Sequence, residues 1–247
     1  MFVTVTTIGR ILHQDNISPE TIFSPGIFVC MTEELRLRER KKLQTRHSLW
    51  QTAIDLFVER GFDNVSVAEI AAAIDVSKKT VFNYFPTKED LVTAPMEEHV
   101  DESARIVRDR AVGESAITAL RRHFLAALAA RDAATGLNDN PAVLNVQRLV
   151  RVTPSLTQRV YAFFARSEDF LAREFAGQTQ AADITARVAA AQILSVRNVL
   201  VAENVRRLLD GESADAVYPD AVANAEHAFD VLEGGLGAYC TREAEAD

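Results

Sequence analysis

The chain has 247 residues, 48% of them apolar and 25% charged, with a formal net charge of −8. This balance suits one or two globular domains and excludes wholesale disorder. With no run of eighteen uninterrupted apolar residues no membrane span is expected, and the two cysteines, Cys30 and Cys240, form no CxxC or Cys/His pattern that would suggest a disulfide framework or a metal site.

The first thirty residues, "MFVTVTTIGRILHQDNISPETIFSPGIFVC", have scattered prolines and no helical period. They lack the basic start and apolar core of a signal peptide. Met31 then opens a different composition, so residues 1–30 read as a leader ahead of a natural start. The rival reading is a flexible arm, but with Arg10 as its one basic residue it would read a minor groove poorly. From Arg36 to Arg46 there are six basic residues (Arg36, Arg38, Arg40, Lys41, Lys42 and Arg46) against one acid, Glu39. Local field matters more than net charge for a polyanionic partner.

Beyond this run the pattern is helical almost throughout. Leu49, Trp50, Ala53, Ile54, Phe57 and Val58 recur at three- and four-residue spacing as one apolar stripe, and Gly61 stops that helix. Ser66 and Glu69 form a capping box for a short helix whose Ile70, Ala71 and Ile74 face inward. Ser77 caps the next helix, and Pro86 ends it. Thr87 caps a third, with Glu89 and Asp90 in the first turn, where the helix dipole favours acids. Pro95 is expected to kink or interrupt it. Further helices are expected at about 114–132, 141–152, 155–176, 183–209 and 217–238, separated by "TGLNDNP", "VTPS", "AGQTQAAD" and "DGESADAVYP". The fold class is all-α.

Two short helices joined by three or four residues make a helix-turn-helix, whose second helix lies in the DNA major groove. At 100° per residue, Val81, Phe82 and Phe85 fall on the buried arc; Lys79, Thr80, Asn83 and Tyr84 fall opposite, and Lys78 sits at the tip. Lysine donates to guanine or phosphate, asparagine can pair bidentately with adenine, and the threonine methyl can touch a thymine methyl. The tyrosine hydroxyl suits phosphate. The helix starts at Ser66 and Thr87 offer N–H groups to flanking phosphates, with Lys88 and Arg46 adding charge.

The stretch "TAIDLFVERGFDNVSVAEIAAAIDVSKKTVFNYFPTKEDL" resembles the N-terminal DNA-binding domain of TetR-family transcriptional regulators over residues 43–92. The resemblance places DNA contacts at Ser66, Lys78, Lys79, Thr80, Asn83, Tyr84 and Lys88. Behind the leader or arm read at 1–30, it implies a DNA-binding domain (31–92) and a helical effector-binding and dimerisation domain (93–247). In such proteins the last two helices pair with their twofold mates. The implied function is a cytoplasmic repressor that binds a palindromic operator as a homodimer and is released by a small-molecule effector. The alternative is an activator or an architectural DNA-binding protein without an effector. By fold analogy, Phe124, Leu128, Leu144, Phe163 and Phe164, with Leu149 and Phe170, would line an apolar effector cavity, and Arg121, Arg148 or Arg151 would anchor an anionic group. The five histidines are dispersed, and HExxH, GxSxG, P-loop and GxGxxG signatures are absent from the sequence. Neither an enzyme nor a cofactor is expected.

Overall fold

The computed structural model describes residues 28–178 and 183–235. The leader expected at 1–30 lies outside the described residues up to residue 27, as do the side chains of Arg36 and Arg38. Every regular element among the described residues is helical: α1 (Phe28–Arg60), α2 (Val67–Ala73), α3 (Lys78–Tyr84), α4 (Asp90–Glu97), α5 (Glu102–Arg108), α6 (Ala116–Ala129), a 3-10 turn (Ala133–Thr135), α7 (Pro141–Val152), α8 (Pro154–Gln178), α9 (Asp183–Leu209) and α10 (Ala214–Gly234). Helices α2 and α3 start directly after Ser66 and Ser77, whereas α4 starts at Asp90, three residues after Thr87. The first helix is longer than its periodicity indicates, already helical at Phe28, three residues before Met31.

The chain divides into two compact units. Among the described residues, one contains 28–95 together with Pro141–Val160; the other contains Met96–Asn140 and the residues from Tyr161. The helix pair α7 and the start of α8 thus belong with the N-terminal helices, and α1 packs on α7. Sequence periodicity carries no sign of this grouping, because it is set by which faces meet and not by spacing along one helix.

In the N-terminal unit, Leu49, Ala53, Ile54 and Phe57 of α1 are buried with Val67, Ile70 and Ala71 of α2, Val81 of α3, and Phe85. Two members of the expected inner faces are outside. Val58 is 45% exposed and Phe82 is 39% exposed. Val58 lies at the edge of a stripe already filled by Ile54 and Phe57. Phe82 lies on so short a helix that Val81 and Phe85 alone close its inner side, and its ring has Lys78 Nζ 5.7 Å from the centroid.

Pro95 acts as expected. Helix α4 ends at Glu97, and two turns bridged by His99 N–H to Met96 O and Glu102 N–H to His99 O lead into α5. In the C-terminal unit α10 packs on α6 and α9, with Phe124 and Phe229 at 6.2 Å between ring centroids. Helix α9 is long and apolar enough to cross a membrane by length and composition, although no uninterrupted apolar run marks it. Here it serves as a core helix, and Ala186, Ala190, Ile193, Leu200 and Leu208 are buried on one side together with Arg197 and Asn204.

Candidate nucleic-acid interface

The segment from Ser66 to Asp90 is built from three caps placed close together, because helices of seven or eight residues cannot rely on propensity alone. Ser66 Oγ accepts from Glu69 N–H at 3.2 Å, and Glu69 Oε2 accepts from Ser66 N–H at 2.8 Å. Arg60 Nη2 donates to the other Glu69 oxygen at 2.6 Å. The Ser66 N–H and the Arg60 guanidinium hold the Glu69 carboxyl down at about 2, well below the usual carboxylate range. Ser77 Oγ caps α3 by accepting from Thr80 N–H at 3.0 Å, and the two hydroxyls meet at 2.8 Å. Thr87 and Asp90 repeat the reciprocal box, Thr87 Oγ1 accepting from Asp90 N–H at 3.2 Å and Asp90 Oδ2 from Thr87 N–H at 2.8 Å.

The turn between α2 and α3 has its own geometry. Val76 N–H donates to Ala71 O at 2.9 Å and Asp75 N–H to Ala72 O at 3.3 Å, a Schellman pair. This places Asp75 in the left-handed region at φ 55°, where an aspartate is tolerated better than most side chains. The turn therefore ends α2 within one residue and presents Ser77 to start α3.

On this frame Lys78, Lys79 and Asn83 are exposed, and Thr80 and Tyr84 are half-buried. Lys79, Thr80 and Asn83 lie on the side of α3 away from buried Val81, with Lys78 at its start and Tyr84 on its flank. The Thr80 hydroxyl is engaged by Ser77, so its methyl is the part left for a base. Ser66 is committed to its cap through both its hydroxyl and its N–H. Lys88 is half-buried, with Nζ 4.4 Å from the Phe62 centroid and 5.6 Å from that of Phe57. Arg46 is half-buried too, its guanidinium 5.6 Å from the Phe85 ring centroid. Both cations lie against aromatic residues of the core, and their stems serve packing as well as charge. Arg40, Lys41 and Lys42 are exposed along α1.

The family model for bacterial regulatory proteins of the tetR family matches residues 49–94. That segment is thus similar to the N-terminal domain of tetR-family regulatory proteins. Among curated relatives, the HTH-type transcriptional regulator TcmR of Streptomyces glaucescens is 30% identical over 138 residues, which is 56% of this chain and 60% of that protein. The chain thus spans less than two thirds of that relative. Two solved structures share the fold. NalD of Pseudomonas aeruginosa, the secondary repressor of an efflux pump, superposes with TM-score 0.52 at 17% identity, covering 76% of this chain and 96% of that one. Salmonella enterica GusR superposes with TM-score 0.50 at 21% identity, covering 78% and 95%. The TetR-type domain matches the segment in which the three caps and the Schellman turn were found.

The expected effector residues are distributed over both units. Phe124, Leu128 and Phe163 are fully buried in the C-terminal unit, and Phe163 meets Phe164 at 5.7 Å between centroids. Arg121 is paired with Asp230 at 2.7 Å. Leu144, Leu149, Arg148 and Arg151 belong to α7 in the N-terminal unit, where Leu149 is buried and Arg148 donates to Asn145 Oδ1 at 3.2 Å. Phe170 is 38% exposed. Phe164 lines a cavity of about 10 Å³ bounded also by Ser103, Ser167, Arg197 and Asn198. Sequence reasoning missed those four, because a serine or arginine on a helix reads as a solvated face until its neighbours are known.

Proposed function

We propose that this protein is an effector-responsive transcriptional repressor that binds a near-palindromic operator as a homodimer. The observation that carries the DNA-binding half is α3. Lys78, Lys79 and Asn83 are presented outward on a helix fixed at its start by Ser77 and from beneath by buried Val81. A rigid probe of this kind loses little entropy when it enters a groove.

The dimer half is supported by the outer faces of α9 and α10. Ile184, Val188 and Val199 are exposed on α9 at 61%, 47% and 69%, in line with Gln192, Ser195 and Ala202. Ala216, Pro219 and Ala223 are exposed on α10. Apolar and small residues on neighbouring helices allow close approach of a twofold mate. Two recognition helices about one turn of DNA apart, roughly 34–36 Å, then read two half-sites.

Sedimentation of the full chain together with footprinting on a selected duplex tests this reading. A dimer protecting two half-sites is expected. Truncation after Asp210 removes α10 and should abolish both the dimer and the footprint. A truncated monomer that protects the whole operator at undiminished affinity would refute the reading.

A further inference from the structure

The core of the C-terminal unit holds charged and hydroxyl-bearing groups that DNA binding does not use. Arg197 on α9 is 6% exposed, and its guanidinium lies 6.0 Å from the Phe124 ring centroid. Among the described residues its hydrogen-bond partner is Ser103 Oγ, at 2.5 Å. Burial lowers its pKa, and Glu102, next to Ser103 in the chain, opposes this through charge, without a hydrogen bond among the described residues. Ser167 on α8 is 5% exposed, and its hydroxyl has no partner among the described residues.

These groups converge. Ser103, Ser167, Arg197 and Asn198 bound one small cavity, walled on its other sides by Phe164, Leu194 and Val201. A buried guanidinium that donates to one hydroxyl, with the Glu102 carboxylate acting on it through charge alone, leaves donors unused, and an orphaned hydroxyl is costly too. Each is relieved by the same complement, an acceptor carrying negative charge. The apolar wall asks for an apolar body behind that charge. With about 10 Å³ free, the cavity takes one water-sized group, such as a single carboxylate oxygen. Anything attached to it must displace Phe164 or Leu194.

We propose that this cavity is an anchoring subsite for the carboxylate of a small apolar acid, held by the Arg197 guanidinium and the Ser167 hydroxyl. The assignment rests on the effector-responsive reading above and gives that effector a chemical class. The Arg197 fork matches the two oxygens of a carboxylate, and Ser167 donates to one of them. Because Phe164 and Ser167 are both on α8, admission of the acid acts on that helix directly. Arg166, adjacent to Ser167, is paired with Glu97 at the end of α4.

Calorimetric titration of the full-length protein with benzoate provides the test, with benzamide as the neutral analogue of the same shape. Saturable benzoate binding is expected, at least tenfold tighter than benzamide, with acetate competing. Ser167→Ala should weaken benzoate three- to tenfold without lowering the melting temperature. Arg197→Met should abolish binding in protein that keeps its helical circular dichroism. If Arg197→Met does not fold, Ser167→Ala and the benzamide comparison decide. No benzoate binding, equal affinity for benzamide, or an unaltered Ser167→Ala would each overturn the assignment. Gel retardation of a selected duplex by the same sample keeps the two readings apart. Protein that binds DNA but no carboxylate loses the subsite alone, whereas protein that binds benzoate yet never releases DNA keeps the subsite and loses its role as effector site.

Discussion

Arg159 Nη2 lies 2.6 Å from Asp90 Oδ1 while Asp90 Oδ2 accepts the N–H of Thr87, so one carboxylate serves both the α8 arginine and the start of α4. Arg159 also donates to Thr87 Oγ1 at 2.9 Å. Seven residues further along both helices, Arg166 pairs with Glu97. Seven residues are two helical turns, so on each helix the two pairing residues share a face. Helix α4 follows α3 directly, and these pairs tie it to α8 on either side of Pro95.

Arg159→Ala should therefore do more to DNA binding than to stability. The pair is partly exposed, at 35% for the arginine side chain and 16% for the aspartate, so its loss should lower the unfolding free energy by about 1 kcal/mol. The first turn of α4 would lose its outer support, and affinity for a specific duplex should fall severalfold. Urea unfolding together with fluorescence anisotropy checks this. Wild-type DNA affinity in a variant destabilised by that amount would show the arginine to be structural only.

Asp75 offers the opposite kind of change. Its φ of 55° belongs to the Schellman turn, where glycine bears no steric penalty. Asp75→Gly should raise stability by up to about 1 kcal/mol, while Asp75→Val should lower it, because a β-branched side chain is poorly tolerated there. Both variants leave the outer face of α3 unaltered. Denaturant midpoints rank the three proteins, and a glycine variant no more stable than wild type would mean that the aspartate side chain makes a compensating contribution in the turn.

The caps at Ser66, Ser77 and Thr87, the stop at Gly61 and the break after Pro95 were all readable along the chain, because each depends on residues within four positions of one another. Helices 141–152 and 183–209 were readable to the residue for the same reason. What could not be read was which helix faces meet. Val58 and Phe82 continue an apolar stripe in sequence yet lie outside, since Ile54, Phe57, Val81 and Phe85 already fill the space. Arg197 and Ser167 look like surface residues, and only the approach of α5, α8 and α9 puts them inside. Lys88 was legible as a cation at a helix start but not as a cation seated over Phe62 and Phe57.

Gly136 tests how tightly the 3-10 turn is held against α9. Its φ is 73°, and a Cβ built there would lie 2.5 Å from the backbone oxygen of Val201. A backbone carbonyl inside a helix cannot rotate away as a side chain can. Nearby, Asn204 Nδ2 donates to Thr135 O at 2.9 Å, so the approach is fixed by a buried hydrogen bond. Gly136→Ala should cost about 2–4 kcal/mol through strain at positive φ plus the displaced contact. Thermal unfolding checks this, and a variant within about 0.5 kcal/mol of wild type would mean that the turn shifts freely. Val201 also walls the small cavity, so the substitution should alter benzoate affinity as well.

The two kinds of DNA contact should separate under salt. Asn83 is exposed on α3, so Asn83→Ala should cost about 1–3 kcal/mol at one base position and relax preference there, with little change in the salt slope. Lys88→Ala is more complex. Its Nζ sits 4.4 Å from the Phe62 centroid, and losing that contact should cost about 0.5–1 kcal/mol of stability before any phosphate is considered. As a phosphate contact, it should also weaken binding to all sequences alike and reduce the slope of log affinity against log salt by about one. Lys88→Met keeps most of the apolar stem and removes only the charge, so it should retain more stability than alanine yet show the same loss of slope. Competition titrations on operator and on unrelated duplex at several salt concentrations, beside denaturant curves for each variant, separate the terms. If Lys88→Met leaves the salt slope unaltered, Lys88 belongs to the core of the domain and not to its DNA surface.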